Sequence, residues 1–185
     1  MTKFRQADTL IVVALEAELS NDLLPDWRIV YSGVGKVNAT MTLCDAIIKF
    51  KPRTVVNYGT AGSLREELAG LYEITSLFQR DMDARALDFQ LGQTPFEQGI
   101  ALDLGRAGLS CGTGDQFVTN PPNLKTDLVD MEAYALAKVC KHKKLDFYCY
   151  KFVSDNADGK AKIDWNERMA EGAKLFCNQL LSSTH

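Results

Sequence analysis

Three apolar runs in this chain stop abruptly at polar or glycine-rich clusters, and that arrangement restricts the fold more than any other feature. Residues 10–15 (LIVVAL) lead into Glu16-Ala17-Glu18, residues 54–58 (TVVNY) into Gly59-Thr60-Ala61-Gly62-Ser63, and residues 147–153 (FYCYKFV) into Ser154-Asp155-Asn156-Ala157-Asp158. A continuous apolar run without alternation reads as a strand covered on both faces. At a fourth place, Val129-Asp130-Met131-Glu132, carboxylates flank a methionine at a strand-to-helix junction. If these strands are parallel neighbours, the four clusters converge on one rim.

Helical patterns lie between the runs. Residues 16–24 suit a helix that stops before Pro25, and residues 27–31 a second strand. Ser32-Gly33-Val34-Gly35-Lys36 reads as a turn opening a helix that ends near Pro52. In that helix Val37, Met41, Cys44 and Ile48 make one apolar stripe. Residues 71–78 and 99–104 have strand character, and residues 108–118 read as a strand pair interrupted by Gly112-Thr113-Gly114. A strand at 128–131 runs into a helix at 132–142. Asp164 caps the last helix, with Glu167 completing a capping box. Met169, Ala173, Phe176 and Leu180 form that helix's inner stripe. Strand–helix alternation of this kind predicts an α/β fold with a largely parallel sheet between helices. Ligands then gather at the carboxyl ends of the strands.

Composition narrows the classes further. The 185 residues suit one domain, and 46% apolar with 24% charged residues is the balance of a globular protein with a core. Net charge is −3 with no basic run, which points away from nucleic acid and from an anionic membrane surface. The apolar stretch near the N-terminus is too short to span a bilayer and lacks a cleavage signal, so a cytoplasmic protein is expected. Cys44, Cys111, Cys140, Cys149 and Cys177 form no paired motif and read as reduced core residues. The two histidines, His142 and His185, do not stand at ligand spacing from a cysteine, so no metal and no cofactor are expected. His142, among lysines, reads as a solvated helix end.

Carboxylates without metal ligands suit glycosyl chemistry. Breaking a bond at an anomeric carbon passes through an oxocarbenium-like state and needs an acid at the leaving group and a base on the incoming water. Each cluster also has a plain structural explanation. Glu16 and Glu18 fit the acidic first turn of a helix, residues 59–62 a turn, Asp130 and Glu132 helix caps, and Asp155 and Asp158 an acidic loop. Composition and spacing alone stop at an α/β protein with a carboxylate-rich rim.

Taken together and in order, the segments resemble the nucleoside phosphorylase and nucleosidase family. Residues 30–39 (VYSGVGKVNA) resemble its SGIGKVNA segment, residues 55–63 (VVNYGTAGS) its INTGSAGG strand, and residues 114–118 (GDQFV) its SGDxFI segment. Residues 129–133 (VDMEA) resemble its V(E/D)MEA signature and residues 153–158 (VSDNAD) its ISDxAD signature. The likeness implies a single domain over residues 1–185 with a three-layer fold, a mostly parallel mixed sheet flanked by helices. Residues 14–18 (ALEAE) are similar to the AMExE opening of the methylthioadenosine/S-adenosylhomocysteine nucleosidases within that family.

That resemblance implies roles. Glu18 activates water, and Asp155 acts as general acid toward the purine N7 and exocyclic amine; a carboxyl there rather than an asparagine favours adenine. Acid action requires Asp155 to be protonated, hence a raised pKa. Glu132 accepts bonds from the ribose hydroxyls and Met131 packs on the sugar, with Asp130 and Ser154 beside them in the same signatures. Thr60, Ala61 and Gly62 lie along ribose and base, Phe117 stacks on the purine, and Val118 reads its edge. Val34 and Trp165 line the 5′ pocket. The implied partner is a small-molecule nucleoside, and the assembly a homodimer whose partner side chain completes the 5′ pocket.

The sequence departs from the family pattern in places. The hairpin usual before the SGIGKV strand is missing, and residues 76–84 (SLFQRDMDA) follow the family's acidic strand loosely. Lys151 replaces the usual arginine and Thr60 the usual serine. Two other functions stay open. A phosphorylase would use phosphate instead of water and needs cations around it; Arg53 and Arg65 are available, but the GDPxR-type segment is absent and Glu18 would repel the anion. A binding protein that has lost catalysis is the other.

Overall fold

The structure is a computed structural model that describes residues 3–155 and 165–183, and of Asp155 and residues 165–167 it describes the backbone alone. Among the described residues are eight strands and three α-helices: β1 (Thr9–Val13), β2 (Arg28–Tyr31), α1 (Lys36–Phe50), β3 (Thr54–Ser63), β4 (Gly70–Gln79), β5 (Ala101–Asp103), β6 (Leu109–Thr113), β7 (Leu128–Asp130), α2 (Ala133–Lys143), β8 (Asp146–Asp155) and α3 (Trp165–Ser182).

One mixed sheet joins all the strands. Parallel pairings link β1 with β2, β1 with β3, β3 with β8, β4 with β6, and β6 with β7. Antiparallel pairings link β3 with β7, β4 with β5, and β4 with β8. The strands β3, β8, β4, β6 and β7 therefore form a closed circuit. Closure depends on two ten-residue strands that change partners along their length. The first part of β3 lies between β1 and β8, and its end, Gly62 and Ser63, pairs with β7. The β4 strand passes from β8, over residues 70–74, to β6. A register shift between Ala61 and Gly62 lets β3 turn away from β8.

Side-chain alternation along β1 produces the layers. Leu10 and Val12 join a core with Ala39, Leu43 and Ala46 of α1 and Ala133, Leu136 and Cys140 of α2. Ile11 and Val13 face the opposite way and join Tyr58, Phe152, Ala173, Phe176 and Leu180 in a core under α3. Both faces of the strand are thus covered, which is why its sequence is uniformly apolar. The expected inner stripe of α3 (Met169, Ala173, Phe176, Leu180) is buried throughout. Gly172 brings α3 close to the sheet: a Cβ there would stand 2.6 Å from the Phe152 ring. The capping box at Asp164 and Glu167 lies outside the described residues.

Several sequence expectations are corrected. Residues 16–24 form no α-helix; a turn carries Glu18 back toward Leu15, and Ser20 caps a short 3-10 turn at Asn21–Leu23. Short polar residues that bond to their own backbone favour such turns over a helix. Residues 59–63 are not a turn but continue β3. Residues 108–118 hold one strand, β6, followed by a loop. The predicted stripe of α1 points the wrong way. Val37, Met41 and Ile48 are 68%, 62% and 74% exposed, while Ala39, Leu43 and Ala46 face the core. The helix carries two apolar faces, and the one with two alanines approaches the sheet most closely. All five cysteines are free, and His142 is exposed in the last turn of α2.

Candidate active site

The parallel strands β1, β3 and β8 deliver their carboxyl ends to one side of the sheet, where a cavity of about 280 Å³ opens. Its walls are Ala14, Leu15 and Glu18 after β1, Val34 before α1, Thr60, Ala61 and Gly62 in β3, and Arg80 after β4. Gln116, Phe117 and Val118 after β6, Val129, Asp130, Met131 and Glu132 at the end of β7, and Ser154 in β8 complete it. The sequence-predicted residues Glu18, Val34, Thr60, Ala61, Gly62, Phe117, Val118, Asp130, Met131, Glu132 and Ser154 are therefore brought to one cavity. Asp155 follows Ser154, its backbone paired with Gly62. The side chains of Asp155 and Trp165 lie outside the described residues, and so does the expected pKa shift of Asp155.

Glu18 is 5% exposed. Its Oε1 accepts from the Thr60 amide and hydroxyl, both at 2.7 Å, and its Oε2 from the Leu15 amide at 3.2 Å. The carboxylate is thereby clamped between the end of β1 and the middle of β3. Gly59 makes room for it: a Cβ there would stand 3.4 Å from Glu18 Oε1 and 3.3 Å from Lys151 Nζ.

Glu132, 7% exposed, begins α2, and its Oε1 accepts from the Gly35 amide at 2.8 Å at the start of α1. Gly35 has φ of 95°, a backbone that side-chain-bearing residues rarely adopt. Burial, and then the neighbouring Asp130, push the Glu132 carboxyl up to about 7. Asp130 moves the other way. Its burial opposes ionisation, but Lys151 at 2.9 Å and hydrogen bonds from Thr113 and Ala133 hold it below the usual carboxylate range.

The loop that carries Phe117 is tied down from two sides. Lys36 Nζ lies 2.6 Å from Asp81 and 3.6 Å from Asp115, while Asp115 also receives the Lys36 amide. The buried Arg80 guanidinium donates to the carbonyls of Gly114 and Gln116. Phe117 itself stays 66% exposed at the cavity edge. Arg80 and Lys151 were not singled out as site residues from sequence. Nothing local marks Arg80; Lys151 carried a signal, a lone lysine inside an apolar strand. Arg53 and Arg65 are exposed and do not line the cavity; Arg65 pairs with Glu67 and Asp127. Among the described residues no cluster of His, Cys, Asp or Glu is arranged for a metal ion.

A mixed sheet closed in this way, with helices on both faces and buried carboxylates around one concave site at the strand ends, places the chain among the α/β proteins whose site lies at the carboxyl edge of the sheet. The profile described as "Phosphorylase superfamily" matches residues 27–91 and 110–183, and the chain belongs to that family. A 5′-methylthioadenosine/S-adenosylhomocysteine nucleosidase of Staphylococcus haemolyticus is 30% identical over 169 residues, 77% of this chain and 74% of that one. An aminodeoxyfutalosine nucleosidase of Campylobacter jejuni is 29% identical over 177 residues, covering 82% and 77%. A crystal structure of the Helicobacter pylori 5′-methylthioadenosine/S-adenosylhomocysteine nucleosidase, complexed with a pyrrolopyrimidine-bearing pyrrolidinol, superposes with a TM-score of 0.83. It is 25% identical and covers 97% of this chain and 98% of that one. The protein is an enzyme of the nucleosidase branch, an N-glycosyl hydrolase. No helix among the described residues is long and apolar enough to cross a membrane.

Proposed function

We propose that this enzyme hydrolyses the N-glycosidic bond of an adenine nucleoside carrying a 5′ substituent, 5′-methylthioadenosine, S-adenosylhomocysteine or a relative of these, to adenine and the free sugar. One observation carries the proposal: two buried carboxylates, Glu18 and Glu132, line a single cavity of about 280 Å³, and the strand bearing Asp155 ends at its rim.

In this reaction Asp155 protonates N7 of the purine as the bond from C1′ to N9 breaks, so the base leaves neutral. Glu18 takes a proton from water, whose oxygen bonds to C1′. Both carboxyls return to their starting states by exchange with solvent. The ionised Glu132 binds the ribose hydroxyls, Met131 packs on the sugar, and Thr60, Ala61 and Gly62 lie along it. Phe117 stacks on the adenine, with Val118 at its edge, and Val34 and Trp165 bound the 5′ group. Asp130 and Ser154 support these contacts from below.

A phosphorolytic reaction is less well supported, because a phosphate would need cations where the cavity presents Glu18. Arg53 and Arg65 are remote, and Arg80 is engaged by two carbonyl oxygens. We also propose a homodimer. The exposed stripe of Val37, Met41 and Ile48 on α1 supports it, since apolar side chains grouped on one helix face mark an interaction surface. Val34, next to that stripe, borders the cavity.

The test is chromatographic. Adenosine, methylthioadenosine, S-adenosylhomocysteine and other 5′-modified nucleosides are incubated with the enzyme in phosphate-free buffer, and free base is quantified. Adenine release from a 5′-modified member, faster than from adenosine, is expected; no base from any of them sinks the proposal.

A further inference from the structure

Lys151 is fully buried in β8, and the roles assigned above leave it unused. A lysine in that position is costly unless something holds its charge. Its Nζ lies 2.9 Å from Asp130 Oδ2, with the two side chains 2% and 1% exposed. The same Oδ2 accepts from the amides of Glu132 at 3.2 Å and Ala133 at 2.8 Å. Asp130 Oδ1 accepts from the Thr113 hydroxyl at 2.5 Å, and that oxygen accepts from the Tyr134 amide at 2.9 Å. The amides of Glu132, Ala133 and Tyr134, where α2 opens, are therefore tied to Asp130, directly or through Thr113. Asp130 in turn is tied to β8 by the lysine.

We infer that Lys151 is a positioning residue for the sugar-binding carboxylate: by anchoring Asp130 it fixes the first turn of α2, and with it the direction in which Glu132 enters the cavity. The inference rests on the reading of Glu132 as the ribose ligand. Among the described residues Glu132 has no such anchor of its own on β8; its side chain accepts from the Gly35 amide at the start of α1. A loosened α2 start would move the carboxylate relative to that amide and to the sugar. The ammonium also lies near Glu18: a Cβ on Gly59 would stand 3.3 Å from Lys151 Nζ and 3.4 Å from Glu18 Oε1, so both approach the same side of that backbone. The groups that face Glu132 are Asp130 on β7, Lys151 on β8, Glu18 after β1 and the Gly35 amide. Among them Lys151 is the cation, and it favours the ionised form that the sugar needs.

Steady-state kinetics across pH, on the 5′-modified nucleoside that the wild type cleaves, test this with Lys151→Met, Asp130→Asn and the double variant. A displacement of Glu132 on the scale of an ångström should raise KM roughly 10- to 100-fold, with a smaller effect on kcat. The acid limb of kcat/KM should move to higher pH in Lys151→Met and back down when Asp130→Asn is added. Because both residues act along one path, the double variant should be no worse in KM than Lys151→Met. If Lys151→Met does not fold, because Asp130 is left buried and unpaired, the double variant removes both charges and carries the test. A folded double variant with wild-type KM overturns the inference, as does a folded Lys151→Met with an unmoved acid limb or a double-variant KM effect equal to the product of the single effects. Failure of the wild type to release base from any nucleoside would instead sink the functional reading, which separates the two.

Discussion

Thr60 donates twice to one oxygen of Glu18, from its amide and from its hydroxyl, each at 2.7 Å. This ties the carboxylate proposed to activate water to the strand proposed to run along the substrate. A hydrogen bond to a charged group contributes about 1.5–3 kcal/mol. Thr60→Ala should therefore lower kcat by roughly 10- to 100-fold while leaving the fold intact, since the amide bond remains. Thr60→Ser keeps the hydroxyl and should stay near wild type. Initial-rate measurements on both variants check this; a fully active Thr60→Ala would mean that Glu18 needs no such hold.

Glu132 places binding and stability in opposition. Its carboxyl is pushed from 4.5 up to about 7, first by burial and then by Asp130. A raised folded-state pKa means that this group's contribution to stability is fully present below about pH 4.5 and is lost as pH rises through about 7. The full effect is on the order of 3 kcal/mol. Glu132→Gln should accordingly gain stability relative to wild type at pH 8 and gain none at pH 4, read from denaturation midpoints. The same variant should bind nucleoside more weakly at pH 8. In the wild type kcat/KM should climb as pH rises through about 7, as the proposed ribose ligand ionises. A flat profile across that range would contradict the ribose role.

Asp155 closes the strand whose preceding residue, Ser154, lines the cavity. The general-acid role proposed for it contributes to breaking the bond and not to holding the ligand. Asp155→Asn should keep affinity for a nucleoside analogue by titration calorimetry while turnover falls by about 10²–10⁴. Unchanged turnover would reject the role.

The α1 surface makes a separate prediction. If Val37, Met41 and Ile48 meet a second copy, Met41→Glu with Ile48→Glu should convert a dimer to monomers by light scattering. Weaker binding of 5′-modified substrates should accompany the change. A wild type that is already monomeric at micromolar concentration contradicts the dimer.

Much of the candidate site was legible in the sequence because the residues lining its cavity are carried by contiguous motifs close behind apolar runs. Glu18, Thr60, Glu132 and Ser154 each stand within three residues of an apolar run, and the carboxyl side of a parallel sheet is where ligands gather. What escaped was set by distant contacts. The path of residues 16–24 depends on a carboxylate that bonds Thr60, 42 positions along the chain. A local helical pattern cannot anticipate that. The facing of α1 could not be decided by periodicity, since both of its sides are apolar and only packing of Ala39, Leu43 and Ala46 into the core shared with α2 and the sheet selects one. Lys151 appeared in the sequence as a departure; its ion pair with Asp130 needed the register of β8 against β3, and of β3 against β7, to be seen.

The central claim is that water, activated by Glu18, and not phosphate, displaces the base. Adenine release from methylthioadenosine, followed by chromatography in buffers with and without phosphate for the wild type and Glu18→Gln, tests it most directly. The account predicts equal wild-type rates in the two buffers, a free sugar as co-product, and a fall of about 10²–10⁴ in the variant. Release only when phosphate is present, with a sugar phosphate as co-product, or a fully active Glu18→Gln, would contradict it.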